Sequence, residues 1–285
     1  MNVDNPMYSP DSTLKLHLYL AWPCPFCHRV FAALVISGLS EQVSITWMRT
    51  IKKTTGWEIA AGGDPLFGET TLKRIYEKLD PSESHPPSVP LLVDLISGKL
   101  LSANSAEITR YISTGMNDRF PVKQQLAPPQ IIGDINNMNQ WLHENINRAV
   151  YHVGFATKQS VYEIRVSELF NAIDMLDQRL GQQPFLMGDR LTECDLYLLA
   201  TLVRFDPVYY PLFRCSYRHI ADYPVLSDYL NRLCTMEGVA DTYNISLNKQ
   251  HYYCSVMHVD GEIRDLNPSR IIPVDGRQLP KEINR

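Results

Sequence analysis

The residues best suited to chemistry lie in Trp22-Pro23-Cys24-Pro25-Phe26-Cys27-His28-Arg29. A cysteine just before a proline that fits the first helical position stands at the N-cap, where its sulfur accepts from the amide of Cys27 as a capping oxygen would. The positive end of the helix dipole favours the anionic sulfur at the same point, and His28 and Arg29 add positive potential. These influences lower a thiol pKa, and the thiolate is the reactive species. Cys24 is therefore the candidate nucleophile. Cys27 is a candidate resolving thiol, although its place in the first turn also suits a core residue. Cys194, Cys215, Cys234 and Cys254 stand alone, so the Cys-x-x-Cys pair lacks the second half of a structural zinc site, and no metal is expected. Two inert, buried thiols are the remaining plain reading.

Such a site needs a strand to deliver the cysteine and a helix to cap. Leu14 to Leu20 alternates with period two and predicts a half-buried strand; Phe26 to Ser37 predicts a helix closing at Gly38, and Val43 to Met48 a second strand. Thr71 to Leu79 predicts a short helix, Val89 to Asp94 and Lys99 to Leu101 a hairpin, and Ser105 to Ser113 a further helix. The order β-α-β-α-β-β-α is that of a thioredoxin-like domain, assigned here to residues 1–116. In glutathione-binding proteins of this fold a cis-proline occurs where Val89-Pro90 stands, and the residue before it offers its backbone to the cysteinyl part of the tripeptide. Asn104-Ser105 opens the next helix, where free amides and a hydroxyl suit a carboxylate. An ordinary helix cap is the competing reading.

Residues 117–130, with Pro121, Pro128 and Pro129, read as a linker. Beyond them strand patterns vanish. Ile131, Ile135, Met138, Leu142 and Ile146 form one helical face, and Val166, Leu169, Ile173, Leu176 and Leu180 another, so residues 131–247 are expected to be all-helical. Thr192 and Asp195 form a capping box, with Leu191 and Leu196 as its hydrophobic staple. Residues 248–285 read as a tail. Its Tyr252, Tyr253, Met257 and paired isoleucines are too apolar for it to hang free, so it is expected to lie across the body, near the active site.

A net charge of −4, from 27 Lys and Arg against 31 Asp and Glu, provides no broad cationic field for nucleic acid. The apolar stretch Leu18 to Leu39 is broken by Pro23, Pro25, His28 and Arg29, and Met1 to Leu14 has no basic region followed by an apolar core. Neither a membrane span nor a secretory leader is expected. Six sparse cysteines suit a reducing compartment, with the cytoplasm as the expected location.

The combination of a thioredoxin-like first domain, an N-terminal nucleophile, a helical second domain and the Thr192–Asp195 box resembles the cytosolic glutathione transferases. Gly56-Trp57, Asp64-Pro-Leu-Phe-Gly68, Asn147-Arg-Ala-Val-Tyr151, Gly154-Phe-Ala156, Gly188 to Asp195, Arg204-Phe-Asp-Pro-Val-Tyr209, Ile220-Ala-Asp-Tyr-Pro224 and His251-Tyr-Tyr253 resemble more closely the glutathionyl-hydroquinone reductases, or xi-class glutathione transferases. These motifs run in the family's order from about Leu14 to Pro273. The resemblance implies the glutathione transferase fold and a homodimer, with glutathione as co-substrate and a small aromatic glutathionyl conjugate as substrate. It implies Cys24 as nucleophile, Trp57 as the cover over glutathione, Val89 as its backbone anchor and Ser105, with Asn104 beside it, as holder of the γ-glutamyl end. Tyr151 and Tyr252 match the tyrosine pair that contacts the hydroquinone.

Two departures stand out. Where the family usually reads Cys-Pro-Trp-Ala-His-Arg, Phe26 and Cys27 create a glutaredoxin-like dithiol, whose second thiol is placed to attack a Cys24–glutathione mixed disulfide. Asn104 replaces the family's usual glutamate and cannot pair as a charge with the γ-glutamyl ammonium. An omega-like or glutaredoxin-like thioltransferase, or a dehydroascorbate reductase, is accordingly the alternative enzyme. A non-catalytic glutathione-binding or iron–sulfur-binding regulator is the alternative outside catalysis.

Overall fold

The first strand, β1 (Leu16–Leu20), runs through the middle of a sheet in which the strand order places β2 (Ser44–Trp47) on one side and β3 (Leu91–Asp94), then β4 (Lys99–Ser102), on the other. β1 and β2 are parallel, with His17 opposite Ser44 and Leu20 opposite Trp47; the β1–β3 and β3–β4 pairs are antiparallel. Helices α1 (Pro25–Ile36), α2 (Leu72–Leu79) and α3 (Ser105–Ser113) complete the thioredoxin-like arrangement, and α1 packs along α3. The computed structural model describes residues 7, 13–81, 86–259, 262–267 and 269–270.

The half-buried strand expected over Leu14 to Leu20 is corrected: every residue of β1 is buried. A central strand is covered on both faces, and the polar side chains of the second face find partners within it. His17 pairs through Nδ1 with Ser44 Oγ at 2.7 Å and through Nε2 with Thr46 Oγ1 at 2.9 Å. The Tyr19 hydroxyl donates to Asp64 Oδ1 at 3.1 Å. Asp64 also accepts from the amides of Leu66, Phe67 and Glu69, so one buried carboxylate folds the whole Asp64-Pro-Leu-Phe-Gly68 turn. Gly63 is required beside it, since a Cβ there would stand 2.7 Å from the Gly68 carbonyl oxygen.

Among the described residues, one compact unit comprises the chain up to Gln125 together with Ser246–Arg270, and a second comprises Leu126–Ile245. The chain does not leave the first unit at residue 117. Gly115, Met116, Asn117 and Asp118 make a left-handed turn with φ of 64°, 57°, 59° and 62°. Asn117 Nδ2 donates to the Met7 carbonyl at 2.9 Å, and the Lys123 amide to the Ser37 carbonyl at 3.0 Å. Most of the proline-rich stretch read as a linker thus belongs to the first unit.

The second unit is helical: α4 (Ile132–Leu142), α5 (Ala149–Gly154), α6 (Gln159–Leu180), α7 (Glu193–Arg204) and α8 (Pro224–Cys234). The single face expected from Ile131 to Ile146 is interrupted by a π turn at His143–Asn147; Ile135, Leu142 and Ile146 are buried, and Ile131 and Met138 are half-buried. That turn brings Asn147 Nδ2 to the Tyr197 carbonyl and Thr201 Oγ1, each at 2.8 Å. All of α7 is buried. At its start the Asp195 carboxylate accepts from the Thr192 amide at 2.8 Å, the Thr192 hydroxyl, the Leu186 amide and the Tyr229 hydroxyl. The box therefore organises the helical core beyond its own turn. Asp206 joins two other motifs by accepting from the amides of Ile220 and Ala221. Gly154 is set by close approach, because a Cβ would meet the Phe213 ring at 2.6 Å.

Residues 248–254, read as the start of a tail, continue a helix, α9 (Ile245–Cys254), followed by a short hairpin of β5 (Met257–Val259) and β6 (Glu262–Arg264). From Ser246 to Arg270 this segment belongs to the first unit. The paired isoleucines and the rest of the expected tail, 271–285, lie outside the described residues.

Burial moves the His17 pKa down from 6.5 to about 4 against a smaller opposing pull from the Asp64 charge. The unfolded chain then binds more protons than the folded one between those values. This contribution, on the order of 3 kcal/mol, is present above pH 6.5 and is lost as pH falls toward 4. Urea midpoints measured from pH 7 to 4.5 should decline less steeply in His17→Gln than in the natural protein. Parallel declines would show that His17 is not the titrating group.

Candidate functional site

Cys24 sits at the N-cap of α1 with φ −73° and ψ 121°, and Pro25 takes the first helical position. Extended backbone at the cap lets the Cys24 amide donate to the Ala21 carbonyl at 3.1 Å, closing the turn that leaves β1. The Cys27 amide donates to Cys24 Sγ at 3.4 Å, and the Cys24 carbonyl takes the His28 amide at 2.9 Å. Across the site the Cys24 sulfur stands 3.8 Å from the Val89 carbonyl oxygen, just before the cis Val89–Pro90 peptide. The Cys24 side chain is half-buried, which combines access for a reactant with partial shielding from water. A sulfur at a helix N-cap, accepting an amide hydrogen bond at the positive end of the dipole, is favoured as the anion.

Cys27 lies beneath this surface, 1% exposed, and its sulfur accepts from the Ala21 amide at 3.4 Å. His28 and Arg29 are buried as well. The Arg29 guanidinium is directed to the Ser105 hydroxyl at the start of α3 and lies 5.2 Å from the Phe26 ring centroid. Arg29 thus ties the two helix N-termini together. Asn104 is the N-cap of α3, and its Oδ1 accepts from the amides of Ala106 at 2.9 Å and Glu107 at 3.4 Å. The capping reading of Asn104 is realised, with the residue exposed and Ser105 buried beside it.

Trp57 closes the same end of the sheet. It is 8% exposed, and its ring stacks on His251 of α9, with centroids 5.2 Å apart and planes 11° from parallel. His251 Nδ1 lies 2.8 Å from the Thr50 carbonyl, which only accepts, so Nδ1 carries a proton. The same nitrogen is 3.0 Å from Ser255 Oγ, which accepts from the Lys52 amide at 2.9 Å. Tyr252 is buried, with its ring edge-on to His251 at 5.2 Å. Tyr151, in the helical unit, is half-buried within a group of aromatic rings formed with Phe155, Tyr209 and Phe213.

The structure therefore gathers Cys24, Cys27, Val89, Trp57, Asn104, Ser105 and Tyr252 in the first unit and places Tyr151 in the second. Sequence reasoning missed Lys52. Its ammonium is half-buried, 5.8 Å from the Trp57 ring centroid. Burial pushes its pKa down, and the negative charge of Cys24 pulls it back up. The run Ile51-Lys52-Lys53 offers no signal beyond that of a solvated loop. No group of three or more potential metal-binding side chains occurs among the described residues, and no described helix is long and apolar enough to cross a membrane.

Comparison with known proteins agrees along the chain. Residues 159–232 match the family model of the glutathione S-transferase C-terminal domain. The glutathionyl-hydroquinone reductase PcpF of Sphingobium chlorophenolicum is 34% identical over 268 residues, covering 93% of this chain and 83% of that protein. The glutathione-bound structure of YqjG, a glutathione transferase homolog from Escherichia coli K-12, superposes with a TM-score of 0.86 at 31% identity, over 97% of this chain and 91% of that one. Glutathione transferase Xi 1 from Trametes versicolor gives a TM-score of 0.83 at 34% identity, over 91% of each chain.

Of the six free cysteines, only Cys24 and Cys254 are half-buried; the other four are buried. Native alkylation with iodoacetamide, followed by peptide mass spectrometry, should label Cys24 first and Cys27 at least about tenfold more slowly. Equal rates at both would contradict the placement of Cys27 beneath the surface.

Proposed function

The chain belongs to the glutathionyl-hydroquinone reductase family of xi-class glutathione transferases, and on that premise we propose that it is a glutathione-dependent reductase that removes glutathione from aromatic glutathionyl-hydroquinones. The observation that carries the reading is the half-exposed Cys24 sulfur at the α1 N-cap, 3.8 Å from the Val89 carbonyl. A peptide paired with the Val89 backbone brings its own sulfur to Cys24.

In the first step the Cys24 thiolate attacks the sulfur of the conjugate. The bond from sulfur to the aromatic carbon breaks, and that carbon takes the electron pair and a proton, giving hydroquinone and a Cys24–glutathione disulfide. A second glutathione thiolate then attacks the glutathionyl sulfur, releasing oxidised glutathione and restoring the Cys24 thiolate. The buried sulfur of Cys27, turned to the Ala21 amide, supports resolution by glutathione rather than by Cys27. Trp57 covers the bound tripeptide, and Ser105, held by Arg29, receives its γ-glutamyl end. Because Asn104 Oδ1 already caps α3, its amide group is what remains to face the γ-glutamyl carboxylate. Tyr151 and Tyr252 take the roles the family assigns them, holding the phenolic oxygens and assisting the proton movement that makes the carbon a tolerable leaving group.

Six sparse cysteines in a chain of 285 residues support a reducing, cytoplasmic setting. Family membership supports a homodimer.

Turnover of a glutathionyl-hydroquinone with added glutathione tests the proposal. Cys24→Ser should lower kcat by about a thousandfold or more, Tyr151→Phe and Tyr252→Phe each by about tenfold or more, and Cys27→Ser should stay within about twofold. Full activity in Cys24→Ser would overturn the mechanism. Activity on a small mixed disulfide with none on the conjugate would move the chain to glutaredoxin-like thioltransferase chemistry.

A further inference from the structure

Trp57 stands on the loop between β2 and α2 rather than on a helix or strand. A side chain on a loop keeps a fixed geometry only when its surroundings impose one. Lys53 and Gly56 exchange amide-to-carbonyl bonds at 3.2 and 3.0 Å, which closes the turn before Trp57, and the Trp57 carbonyl accepts from the Leu72 amide at 3.0 Å. These bonds set the Trp57 backbone and leave the ring to be set by its packing. That packing comes from α9, where the His251 imidazole stacks on the Trp57 ring with centroids 5.2 Å apart and planes 11° from parallel. The same imidazole donates from Nδ1 to the Thr50 carbonyl at 2.8 Å. One side chain therefore holds the backbone where the loop begins and the ring where it ends. Ser255, one helical turn beyond His251, lies 3.0 Å from Nδ1 and accepts from the Lys52 amide at 2.9 Å. It thereby also anchors the residue whose ammonium lies 5.8 Å from the Trp57 ring centroid. Trp57 and His251 are 8% and 6% exposed, so the stack is shielded from water.

We propose that His251 is a positioning residue for glutathione binding: its imidazole, oriented by the Thr50 carbonyl, holds the Trp57 ring in the plane that covers the bound tripeptide. This rests on the reading of Trp57 as that cover. The Thr50 and Ser255 contacts fix the imidazole plane from the backbone side, and a flat ring passes that plane on to the indole, which an aliphatic side chain of similar bulk does not. A ring already held loses little rotamer freedom when the tripeptide arrives, so the contribution appears as affinity. The Cys24 sulfur is set separately by the α1 cap, so the chemical step does not draw on the stack. The conjugate and the second glutathione carry the same tripeptide, and His251 serves both.

The test is calorimetric titration of reduced glutathione into the natural protein, Trp57→Leu, His251→Leu, the double variant, His251→Asn and His251→Phe. His251→Leu should weaken binding by about three- to tenfold, the range an aromatic pair supplies. The double variant should bind no more weakly than Trp57→Leu alone, because the two residues act as one unit. His251→Asn keeps a donor for the Thr50 carbonyl but no ring, and should lose as much as His251→Leu. His251→Phe keeps the ring and should stay within about twofold of the natural protein. In turnover, His251→Leu should raise KM for glutathione and leave kcat within about twofold. Additive losses in the double variant would overturn the proposal, since His251 would then act apart from Trp57. So would full affinity in His251→Asn beside a loss in His251→Phe, which assigns the effect to the Thr50 anchor alone. Unchanged affinity in His251→Leu beside a loss in Trp57→Leu would overturn it and leave the cover standing, whereas unchanged affinity in Trp57→Leu would reject the cover and the proposal together. Because glutathione is the only titrant, the predicted pattern in a protein that fails to turn over glutathionyl-hydroquinone would uphold the His251 assignment while rejecting the substrate class.

Discussion

A thiolate that attacks sulfur must be reachable by substrate and yet held by enough positive potential to remain ionised, and the first unit is organised around that constraint. Cys24 can meet it only at the junction of β1 and α1, where the chain turns through the Ala21 carbonyl, Pro25 starts the helix and the Cys27 amide is left to point at the sulfur. Three residues further on, inside the helix, the Cys27 sulfur is turned away from the surface toward the core. The cis Val89–Pro90 peptide then supplies the opposite wall, with a carbonyl facing the sulfur.

A catalytic cap is useful only if its surroundings are held, and two distant parts of the chain do this. Arg29 reaches from the second turn of α1 to Ser105 at the start of α3, so the N-termini of two packed helices share one buried cation. The segment from Ser246 onward returns to the first unit and holds the loop after β2 through His251, Ser255 and the Trp57 ring. The second device fixes backbone as well as side chains, which limits the reorganisation required when substrate binds.

Much of this was legible because it rests on local rules. The proline after Cys24 and the spacing to Cys27 specify the cap, the alternation of β1 and β2 with the intervening helix specifies the parallel pair, and Thr192 to Asp195 specifies the start of α7. The rest depends on partners far away in sequence. The polar residues of β1 read as solvent-facing, and only the sheet reveals Ser44, Thr46 and Asp64 waiting for His17 and Tyr19. Helix α9 hides from periodicity because it buries Asn248, Lys249, His251, Tyr252 and Tyr253, a mostly polar set with no apolar stripe. Lys52 is invisible for a simpler reason. A lysine in a loop comes to stand over the Trp57 ring only when its backbone amide is held by Ser255, far along the chain.

The most direct measurement mixes the enzyme with one equivalent of a glutathionyl-hydroquinone, without free glutathione, and follows the protein by intact-mass and peptide mass spectrometry while quantifying released hydroquinone. The account predicts one glutathionyl group on Cys24, formed at the same rate as one equivalent of hydroquinone and removed when glutathione is added. Hydroquinone released with Cys24 still a free thiol, or a Cys24–Cys27 disulfide in place of the adduct, would contradict it.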